Sequence, residues 1–534
     1  MWLILQIEIG IFFETQFHVY RKTRKERIMK NDSLRRTPLE MNADEFRRLG
    51  YSVVDRIAEY LTWINDRSNP ITRAESPEQV RHLLSSDGLP ANGMSSEKLI
   101  SKASQLLFDH SLFNGHPRFW GYITSSPAPI GILGDFLASA VNPNVGAFAL
   151  SPIATEIERQ TVRWIADMIG YPTSCGGILV SGGNMANFVC FLAARKAKVP
   201  WDVRKEGLSK SKRLRVYCSS ETHTWIQKAT DMYGLGHDAI AWIQTDDRQR
   251  MVVHDLRTKI SEDLKNGCVP LLVVGAAGTV GTGAIDPLEE IASICKEFGI
   301  WFHVDGAYGG FAAVLPDAPS NLKALRLADS VAVDPHKWLY TPLEAGCALV
   351  RNRQALVDAF SYHPVYYHFD DHADEELTNF HELGPQNSRG FRALKVWLAL
   401  QQAGRDGYIE MIREDCRLAA EIFNVLGRYP ELEPITCGLS ITTFRYVPAD
   451  LRAKGTKAEE YLNKLNTEIL SRLQSSGKVY PSNALVKEKY ALRVCIVNFR
   501  TTLDDLMQLP QLVVKIGGET DAELRSREYK SSSD

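Results

Sequence analysis

In "MNADEFRRLGYSVVDRIAEYLTWI" the apolar side chains Phe46, Leu49, Val53, Val54, Ile57, Tyr60 and Leu61 recur at three- and four-residue steps, with Asn42 and Asp44 as candidate caps. That spacing predicts an amphipathic helix. A second helical stretch, Ser96 to Asp109, follows a connection rich in Pro, Gly and Ser. From about His116 the pattern changes, and short apolar runs alternate with helical periods, which predicts parallel βαβ units. The clearest case reads Leu271 to Gly275 as strand, Pro287 to Phe298 as helix with Ile291, Ile294 and Phe298 on one face, Gly299 as stop, and Ile300 to Asp305 as strand. After about residue 400 helices alternate with strands such as Gly438 to Tyr446 and Tyr490 to Val497, the pattern of a smaller α+β domain. The polar tail "GGETDAELRSREYKSSSD" reads as disordered. The resulting division is an extension (1–38), an N-terminal helical segment (39–115), a large α/β domain (116–400), a small α+β domain (401–516) and a tail (517–534). The N-terminal helices are too few to enclose a robust core alone, so they are expected to pack on something else.

Composition narrows the function classes. With 62 Lys+Arg against 64 Asp+Glu there is no basic field to hold nucleic acid, so a small-molecule partner is the default. Nine dispersed cysteines, without a Cys-x-x-Cys pair or zinc-ligand spacing, fit a reducing, cytoplasmic setting and no metal site. The opening "MWLILQIEIGIFFETQF" has an apolar run interrupted by Gln6 and Glu8, shorter than the roughly 20 residues that span a bilayer. Its basic cluster, Arg21 to Arg27, follows the apolar stretch instead of preceding it. Residues 1–38 are therefore expected to lie outside the fold, with Met29 or Met41 as alternative starts, and no stable membrane association is expected; a peripheral anchor is the alternative.

Three features fall where strands end. In "GGILVSGGNMANFVCFLAAR" an apolar run breaks at Ser181, Gly182, Gly183 and Asn184 before a helix begins, a place where backbone N–H groups and the helix dipole favour a phosphate. A plain tight turn explains it equally well alone, since a Walker Lys-Ser/Thr is missing. In "WFHVDGAYGG" Asp305 ends a strand and is followed by the small residues Gly306 and Ala307. A carboxylate there can accept a hydrogen bond from a protonated ring nitrogen, or can simply cap the next turn. His303 alternates with it and is equally a core histidine. In "SVAVDPHKWLY" Lys337 follows His336 at the end of an apolar strand; a desolvated lysine is a nucleophile able to form a Schiff base, and the plain alternative is a loop lysine. Phosphate cradle, pyridinium partner and Schiff-base lysine are together what pyridoxal phosphate requires of a protein.

With these motifs, and with "HPRFWGY", "SPIATEIERQTVRWI", "GTGAIDPLEEIASICKEFGIWFHVDGAYGG", "DPHKW" and "SRGFRALKVW", the chain resembles the group II pyridoxal-phosphate-dependent decarboxylases from about Pro38 to Leu506. The resemblance implies an α/β, fold-type I architecture with a mostly parallel central sheet flanked by helices, and a homodimer with the site at the subunit boundary. It implies that Lys337 carries the cofactor, that Asp305 contacts the pyridine nitrogen, that Ala307 lies under the ring and that Gly183 and Asn184 hold the phosphate. His223 matches the histidine stacked on the ring, and Thr279, Asp334 and His336 match positions lining the cofactor. Asp334 is often Asn in relatives, and an anion near a phosphate needs a compensating donor. The expected reaction is decarboxylation of an L-amino acid, aromatic in preference to acidic or diamino. Trp120, Tyr122 and Phe148 supply an aromatic wall, Ser125 matches a substrate-side position, and only Arg118 is near to clamp a second carboxylate. Core packing explains those aromatics equally well.

One departure bears on the product. In the family a mobile loop usually carries a proton-donating tyrosine before the Phe-Arg-x-Leu-Lys motif. The loop "HFDDHADEELTNFHELGPQNSRGFRALK" has none; an ungapped count back from Phe391 puts Phe380 there, beside His381, with Tyr366 and Tyr367 upstream. Phenylalanine at that place occurs in aldehyde synthases, which couple decarboxylation to oxidative deamination, so either His381 substitutes as the proton donor or the product is an aldehyde. A cofactor-free binding relative is the non-enzyme alternative, disfavoured because Lys337, Asp305 and His223 are all present.

Overall fold

The structure is a computed structural model that describes residues 37–84, 88–208, 212–362, 377–453 and 455–531. Two compact units are distinguished, whose described residues fall within 37–59 with 89–104 and within 60–88 with 105–531. Helix α1 (Ala43–Trp63) begins where the Asn42 side chain accepts the N–H groups of Asp44 and Glu45 at 3.1 and 2.9 Å. In the first unit, α1 and the start of α2 (Ser96–His110) share the Arg48–Glu97 ion pair and bury Leu49, leaving Phe46, Tyr51, Val54 and Leu99 exposed.

The second unit is built on strands β1 (Gly176–Val180), β2 (Leu214–Ser219), β3 (Ile240–Ile243), β4 (Val269–Ala276), β5 (Trp301–Asp305), β6 (Ser330–Val333) and β7 (Gly346–Val350). They form a seven-stranded sheet in the order β1-β7-β6-β5-β4-β2-β3, in which β7 alone runs against its neighbours. Helices cover both faces, so the strands read as unbroken apolar runs instead of alternating ones. Val273, Phe302 and Val304 join one apolar layer; Leu272, Val274 and Trp301 join the layer on the other side. Because every strand but β7 points the same way, the carboxyl ends of β1, β2, β4, β5 and β6 reach one edge. This is where open α/β sheets place their ligands.

The helices that matter to that edge are α3 (Pro129–Val141), α4 (Pro152–Met168), α5 (Gly183–Lys198), α6 (Trp225–Met232), α7 (Leu288–Phe298) and the single turn α8 (Pro335–Trp338). The expected strand–helix–strand unit is found as β4, α7 and β5, with Gly299 in the left-handed conformation closing α7.

The expected domain boundary at 400 falls inside α9 (Ala393–Leu426), which breaks instead at Gly404, whose φ of 65° and ψ of 174° lie outside the helical range. Beyond it, β8 (Leu432–Gly438), β9 (Ile441–Tyr446), β10 (Ser482–Val486) and β11 (Lys489–Cys495) make a four-stranded antiparallel sheet packed with α9, α10 (Glu459–Ser475) and α11 (Leu509–Ser531). The run expected as one strand from Gly438 is a hairpin that turns at Leu439, φ 50°.

The expected disorder of 517–534 is corrected as far as residue 531, where α11 ends. Leu509, Val513, Thr520 and Leu524 bury one stripe of that helix, and a Cβ on Gly517 would meet the Tyr446 ring at 2.6 Å. Ion pairs of Glu523 with Arg472 and of Arg525 with Asp450 hold the polar side. Polar composition hid a helical period. Residues 1–36, and with them nearly all of the expected extension, lie outside the described residues, among which no helix is long and apolar enough to cross a membrane.

Candidate active site

Five loops at the carboxyl edge close around a cavity of about 310 Å3 lined by Gly183, Asn184, His223, Asp305 and Lys337, with Thr279, Ala307 and Asp334 also on its wall. The sequence-predicted residues that meet there come from five different strand ends.

The turn after β1 is shaped by glycine. Gly182 has φ 146°, a conformation open to glycine, and a Cβ on Gly183 would lie 2.6 Å from Asp334 Oδ2 and 3.1 Å from the Ala307 methyl. The backbone can therefore approach a phosphate closely while α5, 16 residues long, presents its free N–H groups. Asn187, one turn after Asn184, adds its side chain to the same wall.

Asp305 is held at the end of β5 by two donors: the Ala307 N–H to Oδ1 at 3.1 Å and the Trp225 indole N–H to Oδ2 at 2.8 Å. His223 accepts the Trp225 backbone N–H on Nδ1 at 3.3 Å, which leaves Nε2 as the nitrogen that carries the ring proton. Desolvation lowers its pKa, and Lys337 adds to that while Asp305 opposes it, so the ring is neutral at physiological pH. Lys337 sits in α8 with Nζ 3.1 Å from Asp334 Oδ2. Asp334 is 1% exposed, and its Oδ1 has no partner. Lys337 supplies the donor that the aspartate needs beside a phosphate turn, with His336 Nε2 further off at 3.7 Å. Thr279 is pinned by Thr282 at 3.1 Å and by the Ala284 N–H at 3.1 Å.

Five expected positions are corrected. Trp120 is 0% exposed within the core of the small sheet, its indole N–H 3.4 Å from Thr501 Oγ1, because the chain from Phe119 runs beside Tyr480. Phe148 lies on a 3-10 turn and is not among the residues lining the cavity. Ser125 donates to the carbonyl of His336 at 2.7 Å, so it braces the lysine turn from behind. His336 also stands behind the wall: its Nδ1 accepts the Ala345 N–H at 3.1 Å, and its ring packs on Gly182. Phe380 is 1% exposed, sunk in the core with the Arg389 guanidinium 4.7 Å from its ring centre, and does not line the cavity. Tyr366 and Tyr367 lie outside the described residues.

The cavity fits pyridoxal phosphate on three counts. Glycines stand where a Cβ would fill the cradle, a carboxylate is aimed into the space, and Asp334 Oδ1 and Thr222 Oγ1 are buried without partners on its wall. Comparison with known proteins decides the family: the pyridoxal-dependent decarboxylase conserved domain matches residues 77–443. The chain belongs to that family. An aromatic-L-amino-acid decarboxylase of Bacillus atrophaeus is 33% identical over 482 residues, 90% of this chain and 97% of that one. A phenylacetaldehyde synthase of a Rosa hybrid cultivar is 29% identical over 469 residues, covering 85% and 90%. The crystal structure of Oryza sativa TDC with PLP and tryptamine matches with a TM-score of 0.83 at 26% identity, covering 91% of this chain and 99% of that one. Pyridoxal phosphate is the cofactor of this family.

In a pyridoxal-dependent decarboxylase the glycine turn can be tested directly. Gly183→Ala places a methyl against Asp334, and overpacking of this kind costs about 1–3 kcal/mol. The dissociation constant for pyridoxal phosphate, measured by equilibrium dialysis, is expected to rise about tenfold, and the apoprotein to unfold at a lower temperature, because the methyl meets Asp334 whether or not the cofactor is bound.

Proposed function

We propose that the protein decarboxylates an aromatic L-amino acid to its amine and carbon dioxide, as a cytoplasmic homodimer. The observation that carries this reading is the convergence of Lys337, Asp305, His223 and the Gly183 turn on one cavity. Bound there, pyridoxal phosphate supplies an electron sink for the pair left on the α-carbon when the carboxylate departs. Lys337 would hold the cofactor covalently, exchange it for the substrate amine and recapture it afterwards. Asp305 would face the ring nitrogen and keep it protonated by charge pairing. Gly183, Asn184 and the N-terminus of α5 would bind the phosphate, with Thr279 beside them. His223, neutral and presenting its proton from Nε2, would orient the ring and the departing carboxylate.

The aromatic preference rests on the relatives named above; Trp120 and Phe148, which do not line the cavity, do not support it. Amine formation is preferred because the aromatic-L-amino-acid decarboxylase is the more similar of the two relatives, 33% identical against 29% for the phenylacetaldehyde synthase. The dimer is supported by apolar side chains that stand exposed among the described residues, including Leu133, Phe136, Leu137 and Val141 on α3. The compartment is supported by nine unpaired cysteines.

The test is incubation of the holoprotein with each standard amino acid, reading carbon dioxide, amine, ammonia and hydrogen peroxide. Tryptophan, tyrosine or phenylalanine should yield carbon dioxide and amine in equal amounts without peroxide. Peroxide and ammonia in step with carbon dioxide would replace the reading by an aldehyde synthase, and turnover confined to acidic or diamino acids would end it.

A further inference from the structure

Trp225 opens α6 with its side chain wholly buried, although the loop before it carries His223 to the cavity. A buried indole N–H must find an acceptor. The acceptor here is Asp305 Oδ2, 80 residues away in the chain and 2.8 Å away in space. The other carboxylate oxygen takes the Ala307 N–H at 3.1 Å. One donor would leave the carboxylate free to swing about its Cβ–Cγ bond; two donors on two oxygens fix its plane and leave the remaining lone pairs to the cavity.

The indole is braced in turn. Its ring meets His303 at 87° with centroids 5.7 Å apart. His303 is clamped between Ser330 Oγ at 2.9 Å and Asn187 Oδ1 at 2.7 Å, and the Trp301 indole donates to the same Ser330 oxygen at 2.8 Å. Burial pushes the His303 pKa down to about 4, so the imidazole is neutral: it donates from Nε2 to Asn187 and accepts the Ser330 hydroxyl on Nδ1. Both ring nitrogens of His303 are thereby committed, and Trp225 rests against a side chain that cannot turn.

We infer that Trp225 is a positioning residue for the reaction, its indole N–H setting the angle at which the Asp305 carboxylate meets the ring nitrogen of pyridoxal phosphate. This rests on the assignment of Asp305 to that nitrogen. The competing account is that Trp225 fills volume and merely satisfies its N–H, and the two accounts differ in what removal of the donor does to the cofactor.

The experiment compares Trp225→Phe, Asp305→Ala and the double variant, reading the dissociation constant for pyridoxal phosphate by equilibrium dialysis and the visible absorption spectrum of the bound cofactor. Hydrogen bonds to a charged acceptor are the strong class, so Trp225→Phe is expected to raise the constant about tenfold to a hundredfold. The spectrum should shift in the same direction as in Asp305→Ala. In the Asp305→Ala background the same substitution should change the constant by less than about twofold, because its target has gone. The inference is overturned if Trp225→Phe keeps the parental constant and spectrum, or if it weakens binding by the same factor in both backgrounds, as lost packing would. If Asp305→Ala itself binds with parental constant and spectrum, the Asp305 assignment fails and the inference goes with it. Should Trp225→Phe not fold, Trp225→Met, also without a donor, is read in the same way.

Discussion

Replacing Lys337 by alanine is expected to abolish covalent attachment of pyridoxal phosphate and to lower turnover by at least about 10,000-fold, the scale seen when a nucleophile acting within a catalytic unit is removed. Borohydride treatment of the parental holoprotein followed by peptide mass analysis should find the reduced cofactor on Lys337 and on no other lysine. The substitution also has a structural side. Lys337 is the closest cation to Asp334, at 3.1 Å, and the aspartate side chain is only 2% exposed with one oxygen already unpartnered. Removing the amine leaves only the His336 imidazole, 3.7 Å away and held neutral because burial lowers its pKa, beside the buried carboxylate. The apoprotein of Lys337→Ala is therefore expected to unfold at a lower temperature than the parent, and Lys337→Gln, which keeps a donor near Asp334, to lose less stability while losing turnover equally. Normal turnover in either variant, or an adduct on a different residue, would remove the basis of the proposed function.

The large domain was legible because its physics is written locally. Strands covered on both faces must be apolar throughout, so Leu271 to Gly275 and Ile300 to Asp305 stood out, and polar residues ending such runs had to face something other than core. Lys337, Asp305 and the Gly183 turn were found for that reason, and they do line one cavity. The misplacements have a common cause: residue type shows that a side chain is buried without showing in which core. Trp120 belongs to the small sheet and Phe380 to the layer behind β1, and neither destination is marked within a few residues of either. The tail failed differently. Its apolar stripe is thin and partly made of Thr520 and a glycine, so the burial is visible only once Tyr446 stands against it. Trp225 went unnoticed because its meaning is a contact across 80 residues. Asn187 and Ser330 acquire theirs only through His303.

Substituting Arg389 by methionine is expected to destabilise the fold by about 3–5 kcal/mol, the cost of stranding one partner of a buried ion pair. Arg389 and Glu158 are both 0% exposed in their side chains and meet at 2.5 Å. The guanidinium also donates to the carbonyls of Val145 and Leu179 at 2.7 Å each, and Glu158 accepts the Leu179 N–H at 3.0 Å. One pair thus ties α4, β1, the Val145 segment and, through the ring beneath the guanidinium, the Phe380 turn. Taking away the cation leaves a carboxylate in a fully buried site and removes one donor from each of two carbonyls. The double variant Glu158→Gln with Arg389→Met should recover a large part of the loss, because the glutamine oxygen still accepts from Leu179 while the buried charge is gone. Thermal and urea unfolding of the apoproteins compare Arg389→Met, Glu158→Gln and the double variant with the parent. The site lies behind the sheet edge instead of on the cavity, so the single variant, assayed cold where it remains folded, should keep the parental KM and most of kcat. A single variant as stable as the parent, or a double variant worse than the sum of its parts, would show that the pair does not hold these segments together.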